Sequence, residues 1–285
     1  MTRNRITKGL RQRGRNGALL LLALGLASCA QGVSAPPPRD PAHPTIVSLN
    51  PCLDAILTEI APPAQVLALS HYSRDTGSSS ILADVAARYG VTGGTAEEII
   101  ALRPDLVLAS IYLPQPTRTA LERAGLKVET FGSPTSVTES IAQVRTVAAV
   151  AGRRRAGEML VRDMTAAAEP DRGGRPILAL LWQPGEIVPG DATLVADMLR
   201  RKGFANHAAA MGLGQADFAA LETILADPPE VLLVAGDSAG QRHPLLADLT
   251  DTAVAPLAPG LLYCGGRTIV NLGARLDAIR AGLTP

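Results

Sequence analysis

One phrase occurs twice in this sequence. Residues 99–109 and residues 224–235 each read as a helix end, a turn with proline and an acidic residue, and an apolar run. Pro104 of the first copy and Pro229 of the second lie 125 residues apart. That spacing is too long for a solenoid repeat and is typical of two similar α/β lobes. The repeat therefore predicts a two-lobed α/β protein with a cleft between its lobes.

The segment between the two copies carries helix signals of its own. Ser136 and Glu139 form an S-x-x-E capping box, which predicts a helix that begins near Val137. Apolar residues then recur at helical spacing as far as Gly152, which is expected to end or kink this helix before a second one follows. We expect these helices to join the two lobes. An ordinary surface helix pair inside one domain is the alternative.

The N-terminal sequence is typical of an exported protein. Six basic residues and no acidic residue precede an apolar run at 18–26, which is the pattern of a secretory signal and is too short to span a membrane. The tetrad Leu-Ala-Ser-Cys at 26–29 resembles a bacterial lipobox, in which Cys29 becomes the lipidated N-terminus. A plain signal peptide with a chance cysteine is the alternative. We expect a membrane-anchored lipoprotein of the periplasm.

These signals predict the domain organisation of the whole chain. Residues 1–28 are interpreted as a lipoprotein signal peptide and residues 29–44, which include Pro36-Pro37-Pro38, as an extended tether. Residues 45–135 form the predicted N-terminal lobe, residues 136–169 the interlobe helical segment and residues 170–285 the C-terminal lobe.

Charge and motif content argue against several function classes. The full chain has a net charge of +1, of which the leader contributes six positive charges, so the remainder is mildly acidic and unlike a nucleic-acid-binding protein. The sequence has no nucleophile elbow, phosphate-binding loop or His-Glu-x-x-His motif, and its four histidines are scattered. We therefore predict no enzymatic activity, no cofactor and no protein metal site.

Two cysteines remain once Cys29 is assigned to the lipobox. Cys52 follows the first predicted strand, and Cys264 precedes the last predicted helix. An exported compartment favours a disulfide between them, which would close a loop of more than 200 residues. Two buried free thiols are the alternative.

The ends of the predicted strands carry the candidate ligand groups. A polar loop that contains His71 follows the strand at 65–70, and ligands bind at the carboxyl ends of strands in open α/β sheets. His71 is either a ligand contact or a solvated loop histidine. Trp182, the one tryptophan, ends the strand that opens the second lobe and is either a flat wall for a ligand or a core residue. Residues 261–264 are predicted to form a late strand.

Several of these runs together resemble a known family. Residues 46–51, 68–73, 97–109, 182–199 and 264–266 are similar to the periplasmic-binding-protein family for cobalamin and iron-siderophores. The resemblance implies an α/β fold of two Rossmann-like lobes joined by a rigid interlobe helix. It also implies a ligand held between the lobes and delivery to an ATP-driven membrane importer of the ABC type.

Position by position, the resemblance carries over a set of cleft residues. The predicted ligand-binding residues are Ser70, His71, Tyr72, Ser73, Tyr112, Trp182 and Gln183, and Tyr263 and Phe218 are weaker candidates. The cobalamin-binding members also carry a glutamate on each lobe that meets arginines of the importer. Asp84 is a candidate for that role on the first lobe, whereas the second lobe has Ala205 and no acid at the corresponding position.

The prediction from sequence is thus a solute-binding lipoprotein. It would capture a cobalamin-like or iron-chelate ligand, such as a siderophore or heme, in the interlobe cleft for ABC-type import. An envelope scaffold without a ligand and an exported enzyme on the same frame are the alternatives.

Overall fold

The computed structural model describes residues 40–75, 77–171 and 173–283. The predicted signal peptide, the predicted lipidation site Cys29 and most of the predicted tether lie outside the described residues. Within the described part of the chain, no helix combines the length and the apolar character needed to cross a bilayer.

The first lobe is a parallel sheet covered by helices. Its elements in chain order are β1 (Ile46–Ser48), α1 (Pro51–Ile60), β2 (Val66–Ser70), α2 (Ala83–Ala86), β3 (Val91–Thr92), α3 (Ala96–Leu102), β4 (Leu106–Ser110), α4 (Gln115–Arg123) and β5 (Lys127–Phe131). The strand order is β3-β2-β1-β4-β5, and all neighbouring pairs are parallel. The central strands are apolar on both faces because helices cover both faces of the sheet.

The second lobe is built on a separate parallel sheet. Its elements are β6 (Ile177–Trp182), β7 (Ile187–Val188), α7 (Leu194–Arg201), β8 (Phe204–Asn206), α8 (His207–Ala210), β9 (Asp217–Phe218), α9 (Leu221–Ala226), β10 (Val231–Ala235), β11 (Ala253–Leu257) and α10 (Arg267–Leu283). The strand order is β11-β10-β6-β8, with parallel pairing throughout, and β7 and β9 form a small antiparallel pair. Two separate sheets confirm the predicted two-lobed α/β fold.

The last strand differs from the sequence prediction. The structure places it at Ala253–Leu257, next to β10, and not at residues 261–264, which form turns before α10. A proline has no N–H group to donate within a sheet, so Pro256 disfavours a strand prediction at residues 253–257. β11 tolerates this proline because it lies at the edge of its sheet, where one side of the strand has no partner to receive an N–H group.

The interlobe segment forms two antiparallel helices. α5 (Val137–Val150) begins where predicted, because the Ser136 side chain accepts a hydrogen bond from the Glu139 N–H. Gly152 takes the left-handed conformation (φ 69°) that reverses the chain, and α6 (Arg154–Ala167) follows. A Cβ atom on Gly157 would lie 2.3 Å from the Cβ of Ala148, so the glycine allows the two helices to approach closely.

This helix pair contacts both lobes through specific hydrogen bonds. On the first-lobe side, Gln65 donates to the Ala151 carbonyl. On the second-lobe side, the Val137 N–H donates to the Asp197 carboxylate at 2.9 Å. One large hydrophobic core contains side chains of both sheets and of both helices. The connection between the lobes is therefore a packed layer and not a flexible linker.

Candidate functional site

A cavity of about 260 Å³ lies between the lobes. Its first wall is the start of α1, where Asn50, Cys52 and Leu53 face the cavity, and its second is the end of β6, with Leu181 and Gln183. Asn50 is positioned by its own capping role, since its Oδ1 accepts from the Cys52 and Leu53 N–H groups. The carboxyl ends of strands in both sheets therefore lead to the same space, as expected for an α/β binding site.

Two connecting segments complete the walls. One is the stretch from Phe131 to Thr135 that leads into α5, together with Gln143 of that helix, whose Nε2 donates to the Gly132 carbonyl at 2.7 Å. The other is the stretch 262–265 that leads into α10. The connection between the lobes and the segment before α10 are thus both part of the site.

A disulfide joins the two lobes at this cavity. Cys52 and Cys264 are bonded, with Cα atoms 5.0 Å apart and a sequence separation of 212. Both residues line the cavity. The bond ties the start of α1 in the first lobe to the segment before α10 in the second lobe.

The predicted first-lobe loop rests on a buried carboxylate. Ser70 donates to Asp54 Oδ2 through its N–H at 3.0 Å and its hydroxyl at 2.5 Å, and Ser73 donates to the same oxygen at 2.6 Å. All three residues are buried. Burial raises the pKa of Asp54 to about 6, against the hydrogen bonds from neighbouring serines that favour the charged form. Ser70 and Ser73 hold the loop in place, and their side chains do not line the cavity.

The aromatic residues of the first lobe are exposed near the strand ends. Tyr72 is 48 % exposed and packs against His71, with ring centroids 4.1 Å apart. Tyr112, which follows β4, is 79 % exposed. None of these three side chains lines the cavity in the described part of the chain.

Trp182 lies in the core of the second lobe. It is 1 % exposed, and its Nε1 donates to the Ala219 carbonyl at 3.0 Å. Its ring packs in a cluster with Leu180 and Val234, on the face of β6 opposite to Leu181. Gln183, the next residue, is the one member of the predicted set of seven that lines the cavity among the described residues.

Several cavity residues escaped the sequence-based prediction. They are the amide side chains of Asn50, Gln143 and Gln215, while Tyr263, a weaker candidate, does line the cavity. Asn50 could have been found, because it follows directly on a buried strand. Gln143 and Gln215 carry no local signal, since only the tertiary fold brings them to this space.

Cations and metal ligands are held away from the cavity. Arg74 donates to the Tyr89 carbonyl at 2.7 Å, and Arg118 donates to the Thr130 hydroxyl at 3.1 Å. Among the described residues, no group of three or more His, Cys, Asp or Glu side chains is placed to bind a metal ion. The site offers apolar surface, amides and hydroxyls, which bind a ligand without covalent chemistry.

Solved structures share this architecture. The periplasmic heme-binding protein RhuT from Roseiflexus sp. RS-1 matches with a TM-score of 0.64 and 21 % identity, over 83 % of this chain and 98 % of that one. The vitamin B12-binding protein BtuF of Vibrio cholerae matches with a TM-score of 0.62 and 16 % identity, over 85 % and 98 %. A possible iron-binding solute-binding protein from Staphylococcus epidermidis matches with 0.64 and 15 %, over 85 % and 98 %. At such identities the likeness concerns the fold.

The sequence itself supplies the family. No curated protein matches this chain significantly. The sequence model of a family described as "Periplasmic binding protein" matches residues 46–253, which include the first sheet, the helix pair and the second sheet as far as the first residue of β11. The chain therefore belongs to the periplasmic binding protein family.

Proposed function

We propose that this protein is a solute-binding lipoprotein that captures a cobalamin-like or iron-chelate ligand, such as a siderophore or heme, and presents it to an ABC importer. The observation that carries the proposal is the cavity whose walls come from both lobes and from the segment that connects them. A ligand held there touches both lobes at once, so its presence can be sensed by a transporter that contacts both. Membership of the periplasmic binding protein family supports the same function and a location in the periplasm.

The size of the cavity defines how such a ligand would sit. At about 260 Å³ it falls just below the usual range for small-molecule sites, about 300–1000 Å³. A tetrapyrrole or a siderophore would place one edge in the cavity and extend toward exposed aromatic side chains, Tyr72 and Tyr112 on the first lobe and Phe218 and Tyr263 on the second. Aromatic faces suit the planar part of such a ligand.

A thermal-shift screen of the soluble part, residues 40–285, tests this function. The panel comprises cobalamin, cobinamide, heme and ferric hydroxamate and catecholate siderophores. A ligand at about 100 times its Kd adds about 2.7 kcal/mol, which corresponds to a Tm increase of about 5–10 °C for a domain of this size. If no compound raises the Tm, the binding function is wrong and the alternative of an envelope scaffold without a ligand is favoured.

A pair of variants at one wall residue locates the binding. Ser133 is exposed and lines the cavity, so Ser133→Trp should fill the cavity without changing the core, whereas Ser133→Ala leaves it open. The tryptophan variant should lose the ligand-induced Tm increase and the alanine variant should keep it. Equal responses of both variants would place the ligand elsewhere.

The lipid anchor is tested separately. In cells, the full-length chain should fractionate with the membrane, and Cys29→Ser should release it to the soluble periplasmic fraction or leave it unprocessed. If the chain with Cys29 intact is found in the soluble fraction, the lipoprotein proposal is wrong and the leader is a plain signal peptide.

A further inference from the structure

The cavity is lined without a single charge. Its walls, in the part of the chain that the structure describes, contain no Asp, Glu, Lys, Arg or His side chain. Its polar side chains are four hydroxyls and four amides, the amides being Asn50, Gln143, Gln183 and Gln215. A buried ligand charge would find no counter-charge here, and burying an unpaired charge is costly.

The helix ends at this cavity are partly capped by the protein's own side chains. α1, α5, α7 and α10 all begin at this cavity, and the first turn of a helix can attract anions through its free N–H groups. Several of these groups already have acceptors. Asn50 accepts from the first turn of α1, Asp197 and Ser136 accept from α5, and Thr193 accepts from α7. The Gly266 N–H, just before α10, donates to the Ser140 hydroxyl.

The amides keep hydrogen-bonding capacity for a ligand. Asn50 uses its Oδ1 in capping, which leaves its Nδ2 as a donor, and Gln143 uses its Nε2 on Gly132, which leaves its Oε1 as an acceptor. Gln183 and Gln215 lie on the opposite wall of the cavity. Donors and acceptors of this kind complement the carboxamide or hydroxamate groups of an uncharged ligand.

On the basis of the proposed function, we infer that this cleft selects ligands whose inserted edge is uncharged and rich in amide-type groups. A corrinoid with intact carboxamides or an uncharged ferric hydroxamate fits this chemistry. Heme carboxylates, ferric catecholates and acid derivatives of corrinoids do not, unless their charged groups remain in solvent outside the cavity.

Matched ligand pairs test the selectivity by titration calorimetry on the soluble part of the chain. The first pair is cobalamin and its monocarboxylate, made by hydrolysing one carboxamide; the second is an uncharged ferric hydroxamate and an anionic ferric catecholate. For whichever pair binds, the uncharged member should bind at least about 10-fold more tightly, because the carboxylate or catecholate loses solvation without gaining a partner. Its Kd should be the same at low and high salt, since no charge pair is screened.

Charge insertion at one wall residue sharpens the test. Gln183→Lys should raise affinity for the anionic member and reverse or abolish the preference, and Gln183→Glu should increase the preference. Gln115 on α4 is exposed, bonds to Thr119 and does not line the cavity, so Gln115→Lys is the matched control and should leave both affinities unchanged.

The outcomes separate this inference from the function on which it rests. Tighter binding of the anionic member by the unmodified protein, or a Kd that rises steeply with salt, overturns the selectivity while leaving the solute-binding function in place. Both the function and the selectivity are wrong if neither ligand pair binds and no compound of the thermal screen binds.

Discussion

Two strand ends, one in each lobe, hold their following residues in different ways. At the end of β2, Ser70 and Ser73 donate to the carboxylate of Asp54, which is buried within the first lobe. At the end of β6, Trp182 donates to the Ala219 backbone carbonyl. A carboxylate changes charge with pH and a carbonyl does not. The first lobe therefore anchors the loop after β2 with a titratable group, and the second lobe anchors the end of β6 with a buried ring and a neutral hydrogen bond.

Replacement of the aromatic anchor should have the largest effect. Trp182→Ala removes a ring that is 1 % exposed and leaves the Ala219 carbonyl without its donor, so we expect the free energy of unfolding to fall by about 3–5 kcal/mol. Urea denaturation measures this change. Tyr112→Ala, at a position 79 % exposed in the first lobe, is the control and should change it by no more than about 0.5 kcal/mol. Similar losses for both would contradict the assignment of Trp182 to the core.

The disulfide ties the start of α1 in the first lobe to the segment before α10 in the second lobe. Replacement of Cys52 and Cys264 together by serine frees the start of α1 from the segment before α10, and it should lower the free energy of unfolding by about 2–5 kcal/mol because a loop closed in the oxidised protein is released. Denaturation of the double variant, compared with the oxidised and the reduced parent protein, measures the effect. The reduced parent protein should behave like the variant. If reduction changes nothing, the bond does not contribute to stability.

The buried carboxylate of the first lobe should make stability depend on pH. The pKa of Asp54 is about 6 in the folded protein and close to the ordinary 3.8 in the unfolded chain, so the folded state binds more protons between these values. Protonated Asp54 therefore contributes about 3 kcal/mol to the free energy of unfolding. This contribution is fully present below pH 3.8 and is lost as pH rises through 6. The free energy of unfolding of Asp54→Asn, measured relative to that of the parent protein, should therefore increase as pH rises from 4.5 to 7.5.

An exposed carboxylate in the same loop provides the control for that experiment. Asp75 accepts hydrogen bonds from the Ser78 hydroxyl and the Gly77 N–H, and these bonds lower the pKa of its carboxyl. Its contribution has the opposite sign, since it is present above the ordinary pKa and is lost as pH falls. A pH slope that is unchanged by Asp54→Asn would show that this group does not titrate as its burial indicates.

The comparison also explains which features the sequence could predict. The lobes, the helix start at Ser136 and the reversal at Gly152 follow from local signals, namely repeated turns, a capping residue and a glycine with positive φ. Local signals do not show which face of β6 carries the Trp182 side chain. β6 is apolar on both faces, so alternation gives no sign that Leu181 faces the cavity while Trp182 faces the outer core. A strand buried on one side alone would have shown the difference.

The role of the loop serines required the tertiary structure for a related reason. Ser70 and Ser73 are hydroxyl groups at the end of a strand, which is the expected position for ligand contacts. Their partner Asp54 belongs to α1, 16 residues earlier than Ser70, and the sequence does not reveal that its carboxylate is buried beneath the loop. Gln143 and Gln215 likewise reach the cavity from separate segments. Local pattern therefore identified the strand ends, and packing decided which side chains face the cavity.

The smallest effect is expected from the ion pairs that connect the lobes. Arg267 at the start of α10 donates to Glu59 of the first lobe at 2.9 Å and to Asp163 of α6 at 3.0 Å, and it is partly exposed. Arg267→Gln should therefore lower the free energy of unfolding by at most about 1 kcal/mol, and the difference should shrink in high salt. Urea denaturation at two salt concentrations measures it, with Arg123→Gln on α4, which is exposed, as the control. If Arg267→Gln lowers the free energy of unfolding as much as the double cysteine variant does, then charges, and not the disulfide and the shared core, hold the two lobes together.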